Sequence, residues 1–272
     1  MYICPICKER LSKINNSYKC ENNHSYDIAS SGYVNLLNPG KRNNFKAGDS
    51  KEMVRARTAF FESDAYKPIS TNLNRIISRY GNNVIVDAGC GEGYYPLNIA
   101  LEFSKSLVLG FDMTKFGCEH AAKKARQENI SYAFFAVANI FDLPLPNNYA
   151  DVVVSLFAPV ADKEFCRILK DDGYLIVVSA GINHLDGLKR ILYKDLYLNE
   201  DKRANYENFS LIDVINLKYD TTILGNETIK NLFTMTPYYH RTSLEDKKKL
   251  EDVNSLSTTI EVNYLIYKKK ND

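Results

Sequence analysis

The chain has 272 residues, 45% of them hydrophobic and 25% charged, enough to bury a full core and unlike a disordered or fibrous polymer. Its formal net charge of +2 gives no whole-molecule positive field, so any nucleic-acid site has to be local. No stretch reaches the roughly 20 apolar residues of a membrane helix, and the opening MYICPICKER lacks the apolar core of a signal peptide, so a cytoplasmic protein is expected.

The first 36 residues hold closely spaced Cys and His but few large apolar groups. Cys4 and Cys7 form a C-x2-C knuckle, twelve residues separate Cys7 from Cys20, and three separate Cys20 from His24. Two close pairs of thiol and imidazole ligands suit a tetrahedral zinc, and metal binding supplies folding energy that a core-poor segment lacks. All four positions are filled by protein, which predicts a structural rather than catalytic ion. A redox C-x-x-C is the alternative, but that motif belongs before a helix in an α/β unit.

Pro39, Gly40 and Gly48 punctuate a polar linker. Asp49 or Ser50 then caps a helix that carries Met53, Ala56, Phe60 and Phe61 on one face. A second helix is predicted from Tyr66 to Tyr80, with Ile69, Leu73, Ile76 and Ile77 at helical spacing and Gly81 closing it. Beyond it, apolar runs alternate with helical stretches: NVIVDAG, LVLGFD, YAFFAV, DVVVSLF and YLIVVSA, with helices from about 94, 116, 162 and 185. Such alternation marks a parallel sheet covered on both faces. A helix near 227–233 and the closing TTIEVNYLIYKK suggest one late antiparallel strand. The organisation expected is a zinc module over 1–36, linker and helices over 37–80, and an α/β domain over 81–272.

VIVDAGCGEGYY joins an apolar strand, the acid Asp87, and glycines at 89, 91 and 93 ahead of a helix. Glycine permits the tight turn and lets the backbone approach a ligand. The spacing is G-x-G-x-G, distinct from the dinucleotide fingerprint and from a phosphate loop. Asp112, followed by Met113, ends the next strand, where a carboxylate can accept hydrogen bonds from both ribose hydroxyls. DAGCGEG with that second acid resembles motif I of class I methyltransferases, whose Rossmann-like domain binds S-adenosylmethionine. The resemblance implies that the loop wraps the methionine half, that Asp112 holds the ribose, and that Asn139 contacts the adenine. LFAP at 156–159 ends the fourth strand without the [DN]-P-P-[YF] sequence of amino-group methyltransferases, so ring nitrogens, oxygens or carbons remain as acceptors.

CPIC, CENNH, GYVNLL, GDSKEMVRAR, DAGCGEGYY, FAP, NHLDGLK and MTP occur in this order along the chain. Together they resemble the RlmA/TlrB group, the 23S ribosomal RNA guanine-N1 methyltransferases. That resemblance implies a zinc domain that helps recognise a ribosomal RNA hairpin loop, methylation of one guanine at N1, and a homodimer. It also implies zinc ligands at Cys4, Cys7, Cys20 and His24, and cofactor contacts at Tyr66, Tyr95, Pro96 and His184. Pro96 departs from the hydrogen-bonding residue expected after the tyrosine pair.

Methyl transfer from a sulfonium needs alignment rather than a protein nucleophile. Phe157 is a candidate to stack on an extruded base, and His184, Asp162 and Glu164 are candidates to accept the N1 proton or to stabilise the negative charge developing on O6. Lys41, Arg42 and Lys46 in the linker, Arg55, Arg57, Arg241 and Lys247 to Lys249 are candidate phosphate contacts, with the linker group favoured over Lys268 to Lys270 because it lies between the zinc module and the active site. A methyltransferase acting on a small molecule or protein, with the zinc module as a cap, is the alternative reading.

Overall fold

A computed structural model describes residues 1–40, 48–195, 199 and 204–270. Lys41, Arg42 and Lys46 lie outside the described residues. Strands β1 (Ser12–Ile14), β2 (Ser17–Lys19) and β3 (Ser25–Asp27) form a small antiparallel sheet around the cysteines. β4 (Val34–Asn35) then leaves it and pairs in parallel with β7 (Ala133–Val137) at the edge of the main sheet.

Helices α1 (Lys51–Phe61) and α2 (Lys67–Tyr80) follow. The Ser50 side chain caps α1 by accepting from the Met53 amide, satisfying one orphan donor of the first turn. Pro68 sits in the first turn of α2, where its missing N–H costs nothing. Then come β5 (Val84–Ala88), α3 (Tyr94–Glu102), β6 (Leu107–Asp112), α4 (Lys115–Gln127), β7, β8 (Ala150–Leu156), α5 (Asp162–Ile168), β9 (Leu169–Ala180) and α6 (Asp186–Leu192). The chain ends with β10 (Phe209–Leu224), α7 (Asn226–Thr234), α8 (Tyr238–Arg241), α9 (Leu244–Lys248) and β11 (Ser255–Lys269).

The main sheet has the order β10-β11-β9-β8-β5-β6-β7-β4. β11 is antiparallel to both its neighbours, and the other strands run one way. The expected late antiparallel strand is therefore β11. β10 is a long strand that sequence periodicity left unassigned. It lies at an edge and is exposed along much of its length, with Ile215, Leu217 and Tyr219 turned toward the core and Asn216, Lys218 and Asp220 between them. Its alternation is real, but the ladder that fixes it, Leu224 opposite Ser255 through Phe209 opposite Lys269, lies far along the chain.

Each face of the sheet has its own core. Ile85, Val108, Val152 and Ile176 pack under helices α1 to α4, α6 and α7. Val86, Leu109, Phe111 and Val153 face the other way, where α5 and the N-terminal module cover them. Tyr2 is fully buried, its ring edge-on to Phe111 of β6 at 6.1 Å and to Tyr18 of β2 at 5.3 Å. The Ile3 amide donates to the Pro144 carbonyl, the Leu36 amide to Val137, and Lys8 pairs with Asp142 at 2.9 Å. Among the described residues no helix is long and apolar enough to cross a membrane.

Candidate metal centre and active site

The ligand atoms of Cys4, Cys7, Cys20 and His24 all lie within 4.8 Å of one another. Cys7 Sγ to Cys20 Sγ is 3.7 Å, Cys4 Sγ to His24 Nδ1 is 3.5 Å, and Cys20 Sγ to His24 Nδ1 is 3.4 Å. A tetrahedron with Zn–S bonds near 2.3 Å has edges of about 3.8 Å between sulfurs, and slightly less to nitrogen, and these three separations match such edges. The Tyr26 hydroxyl lies 3.1 Å from Cys4 Sγ, placed to donate to a thiolate there.

The glycine turn sits where β5 meets α3. Gly89, Gly91 and Gly93 have φ of 94°, 53° and 91°, a left-handed run that residues with a Cβ adopt only at a cost. The amides of Gly89 and Cys90 donate to the Phe111 carbonyl at 2.8 and 3.0 Å, so the turn hangs from the end of β6. A Cβ on Gly93 would stand 2.4 Å from the Ala121 Cβ, and one on Gly89 would stand 2.7 Å from the Ala158 Cβ. The turn is thus packed between α4 and the loop after β8.

Asp87 is 1% exposed, and neither carboxyl oxygen has a hydrogen-bond partner. Burial first, then the charges of Asp112 and Glu92, raise its pKa to about 8. Asp112 accepts from the Gly91 amide at 2.9 Å and from the Thr114 amide and hydroxyl at 2.7 and 2.6 Å. These three bonds hold its carboxylate against the turn and leave about one of its roughly four lone-pair sites. Met113 lies beside it, half-buried next to Gly48. Asn139 Oδ1 accepts the Phe141 amide at 3.0 Å, leaving its NH2 group as the outward donor.

Arg57 does not face solvent as a phosphate contact would. Its Nε donates to Glu92 at 2.5 Å and its Nη2 to Asp49. Burial alone would lower its pKa, but the two carboxylates hold it above its ordinary value. Glu92 is 4% exposed, so this pair docks α1 directly onto the glycine turn. A Cβ on Gly91 would meet Arg57 Nη2 at 3.2 Å. Asp162 accepts from the Glu207 and Asn208 amides, and Glu164 from the Leu143 amide and the Arg167 guanidinium, so both carboxylates are engaged in structural hydrogen bonds.

The loop after β8 carries Phe157 with φ of 51°, the residue 48% exposed, a strained and outward posture for an aromatic residue. Its ring lies 6.0 Å from that of His184 at 30°. His184 Nδ1 is 3.2 Å from the Glu261 amide, an obligate donor, so Nδ1 is the acceptor and Nε2 carries the hydrogen. Nε2 is 2.9 Å from the Tyr66 hydroxyl and donates to it. Burial, and then the charge of Lys189, lower the His184 pKa to about 4. With both nitrogens committed, His184 is a neutral donor, which disfavours the acceptor role among the two open to it from sequence. Tyr66 receives that hydrogen and keeps its own phenolic proton to donate. Tyr95 is buried beside it with its hydroxyl unpartnered, and Pro96 fills space in α3.

Sequence reasoning missed Gly117. Its Cβ would stand 2.4 Å from the Gly91 carbonyl oxygen, so α4 touches the turn backbone there. Only its place one turn into a helix could have flagged it.

Two families match this chain. Residues 2–43 match the family described as RlmA, N-terminal, a zinc ribbon, and residues 81–236 match one described as a methyltransferase domain. A 23S rRNA (guanine(748)-N(1))-methyltransferase of Streptomyces fradiae is 34% identical over 67% of this chain, an alignment that spans 64% of the relative's own length. YxjB of Bacillus subtilis (strain 168), provisionally named a 23S rRNA (guanine-N(1)-)-methyltransferase, is 29% identical over 98% of this chain and 96% of its own. Among solved structures, the YcgJ protein from Bacillus subtilis superposes with a TM-score of 0.52 at 16% identity, covering 75% of this chain and 99% of its own, a likeness of fold.

Proposed function

Since the chain belongs to the methyltransferase-domain family and opens with a zinc ribbon of the RlmA type, we propose that it methylates N1 of a guanine in a 23S rRNA hairpin loop, as a cytoplasmic enzyme and in a homodimer. The observation that carries this reading is the pairing, in one chain, of that ribbon with the methyltransferase domain, the arrangement that Bacillus subtilis YxjB matches over nearly its whole length.

S-adenosylmethionine supplies an electrophilic methyl group on a sulfonium. The groups around the glycine turn complement the rest of that molecule. The unpartnered Asp87 carboxyl suits an ammonium, the free protons of Tyr66 and Tyr95 suit a carboxylate, and the turn without Cβ atoms admits the chain between them. We assign Asp112 to the ribose and Asn139 to the adenine, with Met113 following Asp112 in the chain. At the acceptor side, the exposed Phe157 ring offers a face for an extruded guanine, and His184 supports that ring and orients Tyr66.

Two outcomes follow. Asp87 is protonated below about pH 8, and an ammonium favours its ionised form, so binding below that pH releases a proton. Affinity for S-adenosylhomocysteine, which keeps the ammonium, rises with pH toward 8 and then levels. Asp87→Asn removes the rise in calorimetric titrations from pH 6 to 9, and a flat wild-type profile would count against the role. Phe157→Ala lowers kcat on RNA by about 10- to 100-fold, in line with about 1–3 kcal/mol per stacked base, and leaves cofactor affinity unchanged; unaltered kcat would reject the stacking role.

The function itself is tested by offering labelled S-adenosylmethionine to the enzyme with total RNA, a protein extract and a metabolite extract from a strain lacking the gene. Label is expected in RNA. Label only in protein or metabolites would replace this reading with the rival one.

A further inference from the structure

A cavity among the described residues lies beside the glycine turn rather than in it. It is a groove of about 520 Å³ between one face of α1 and one face of α4, just outside the turn. α1 contributes Lys51 and Arg55, its C-cap contributes Glu62, and α4 contributes Phe116, Glu119 and Lys123, all six exposed. Lys51 Nζ stands 4.3 Å above the centre of the Phe116 ring. The groove adjoins the reaction site through His120, whose Nδ1 lies 3.1 Å from the carbonyl of Glu92 in the turn.

Phe116 is 44% exposed, and the other exposed phenylalanines among the described residues are Phe141 and Phe157. All three lie within four residues of the carboxyl ends of parallel strands, β6, β7 and β8. Burial drives aromatic rings inside, so three outward rings along the edge that bears the glycine turn form a coherent feature.

We propose that the α1–α4 groove binds a single-stranded nucleotide of the RNA substrate that flanks the target guanine. This rests on the reading of the chain as an RNA methyltransferase. The composition fits the parts of a nucleotide. Phe116 offers a stacking face, Lys51, Arg55 and Lys123 neutralise phosphate, and Glu62 and Glu119 accept N–H groups from a base edge. The volume exceeds what one nucleotide fills. An acidic protein segment would find the two glutamates opposed to it, whereas a base can use them.

The test uses the full-length zinc-loaded enzyme and an unmodified transcript of 23S rRNA, with affinity measured across a salt series. The Lys51→Ala/Arg55→Ala/Lys123→Ala variant is expected to bind RNA about 10-fold or more weakly near 0.1 M salt. Its log–log salt slope falls by about 2, as three lost single-strand phosphate contacts require. Phe116→Ala is expected to lose about 5- to 100-fold at every salt concentration with an unchanged slope. Both keep wild-type affinity for S-adenosylhomocysteine. Wild-type RNA affinity in both variants overturns the groove alone. An equal fall in cofactor affinity also overturns it, because the helices would then serve the donor. A wild-type enzyme that neither binds nor methylates the transcript overturns the RNA reading and the groove with it.

Discussion

Gly93→Ala is expected to weaken binding of S-adenosylhomocysteine by about two orders of magnitude or more while the protein stays folded. Two costs combine. A residue with a Cβ at φ of 91° pays roughly 1–2 kcal/mol for the left-handed region. The new methyl also lands 2.4 Å from the Ala121 Cβ and 3.0 Å from its Cα, so α4 or the turn must shift, an overpacking cost of about 1–3 kcal/mol. Both costs fall on the turn that meets the donor, and a 1 Å displacement there spoils the alignment. Gly225→Ala is the control: its φ is 89°, but a Cβ there meets only Thr228 Oγ1 at 3.6 Å, in a turn between β10 and α7. The control should lower the melting temperature without changing cofactor affinity. Calorimetry that finds wild-type affinity in folded Gly93→Ala would contradict the placement of the donor on this turn.

Stripping the metal is the second large effect. The intact protein should carry about one zinc per chain by elemental analysis, and Cys20→Ser should carry far less. Apparent zinc binding energies of roughly 10–16 kcal/mol are folding energy for a segment like this one. The loss does not stop at the small sheet. Tyr2 is buried against Phe111, and the Phe111 carbonyl holds the Gly89 and Cys90 amides, so the knuckle braces the strand end from which the glycine turn hangs. Chelated or Cys20→Ser protein should melt well below the wild type and bind S-adenosylhomocysteine about 10-fold more weakly, a change of about 1.4 kcal/mol. Tyr2→Ala, with zinc retained, should show the same direction in both measurements. Unchanged melting after complete zinc removal would contradict a structural metal.

The metal centre and the glycine turn were legible because their chemistry is local. Four ligands in two close pairs and three glycines before a helix constrain geometry within a few residues, whatever the rest of the chain does. The alternation of strands and helices was legible for the same reason. What escaped depends on long-range packing. β10 reads as scattered apolar and polar residues until β11 lies beside it. Arg57 counts as one more surface cation until Glu92 and Asp49 close around it. Gly117 is one small helical residue among several, and only the approach of the Gly91 carbonyl gives it a reason. The second face of the sheet was expected to be covered, but that the zinc module does much of the covering follows from Tyr2, Leu11 and Leu36 sharing a core with Val86, Leu109 and Phe111. The His184 tautomer likewise rests on an amide 77 residues away in sequence, that of Glu261.

The most direct test of the account is primer extension on 23S rRNA from cells with and without the gene, joined to nucleoside analysis of the same RNA. The account predicts one gene-dependent stop next to a guanine in a hairpin loop, with 1-methylguanosine as the nucleoside lost on deletion. An unchanged stop pattern and an unchanged 1-methylguanosine content, in cells that express the protein with its zinc, would contradict it.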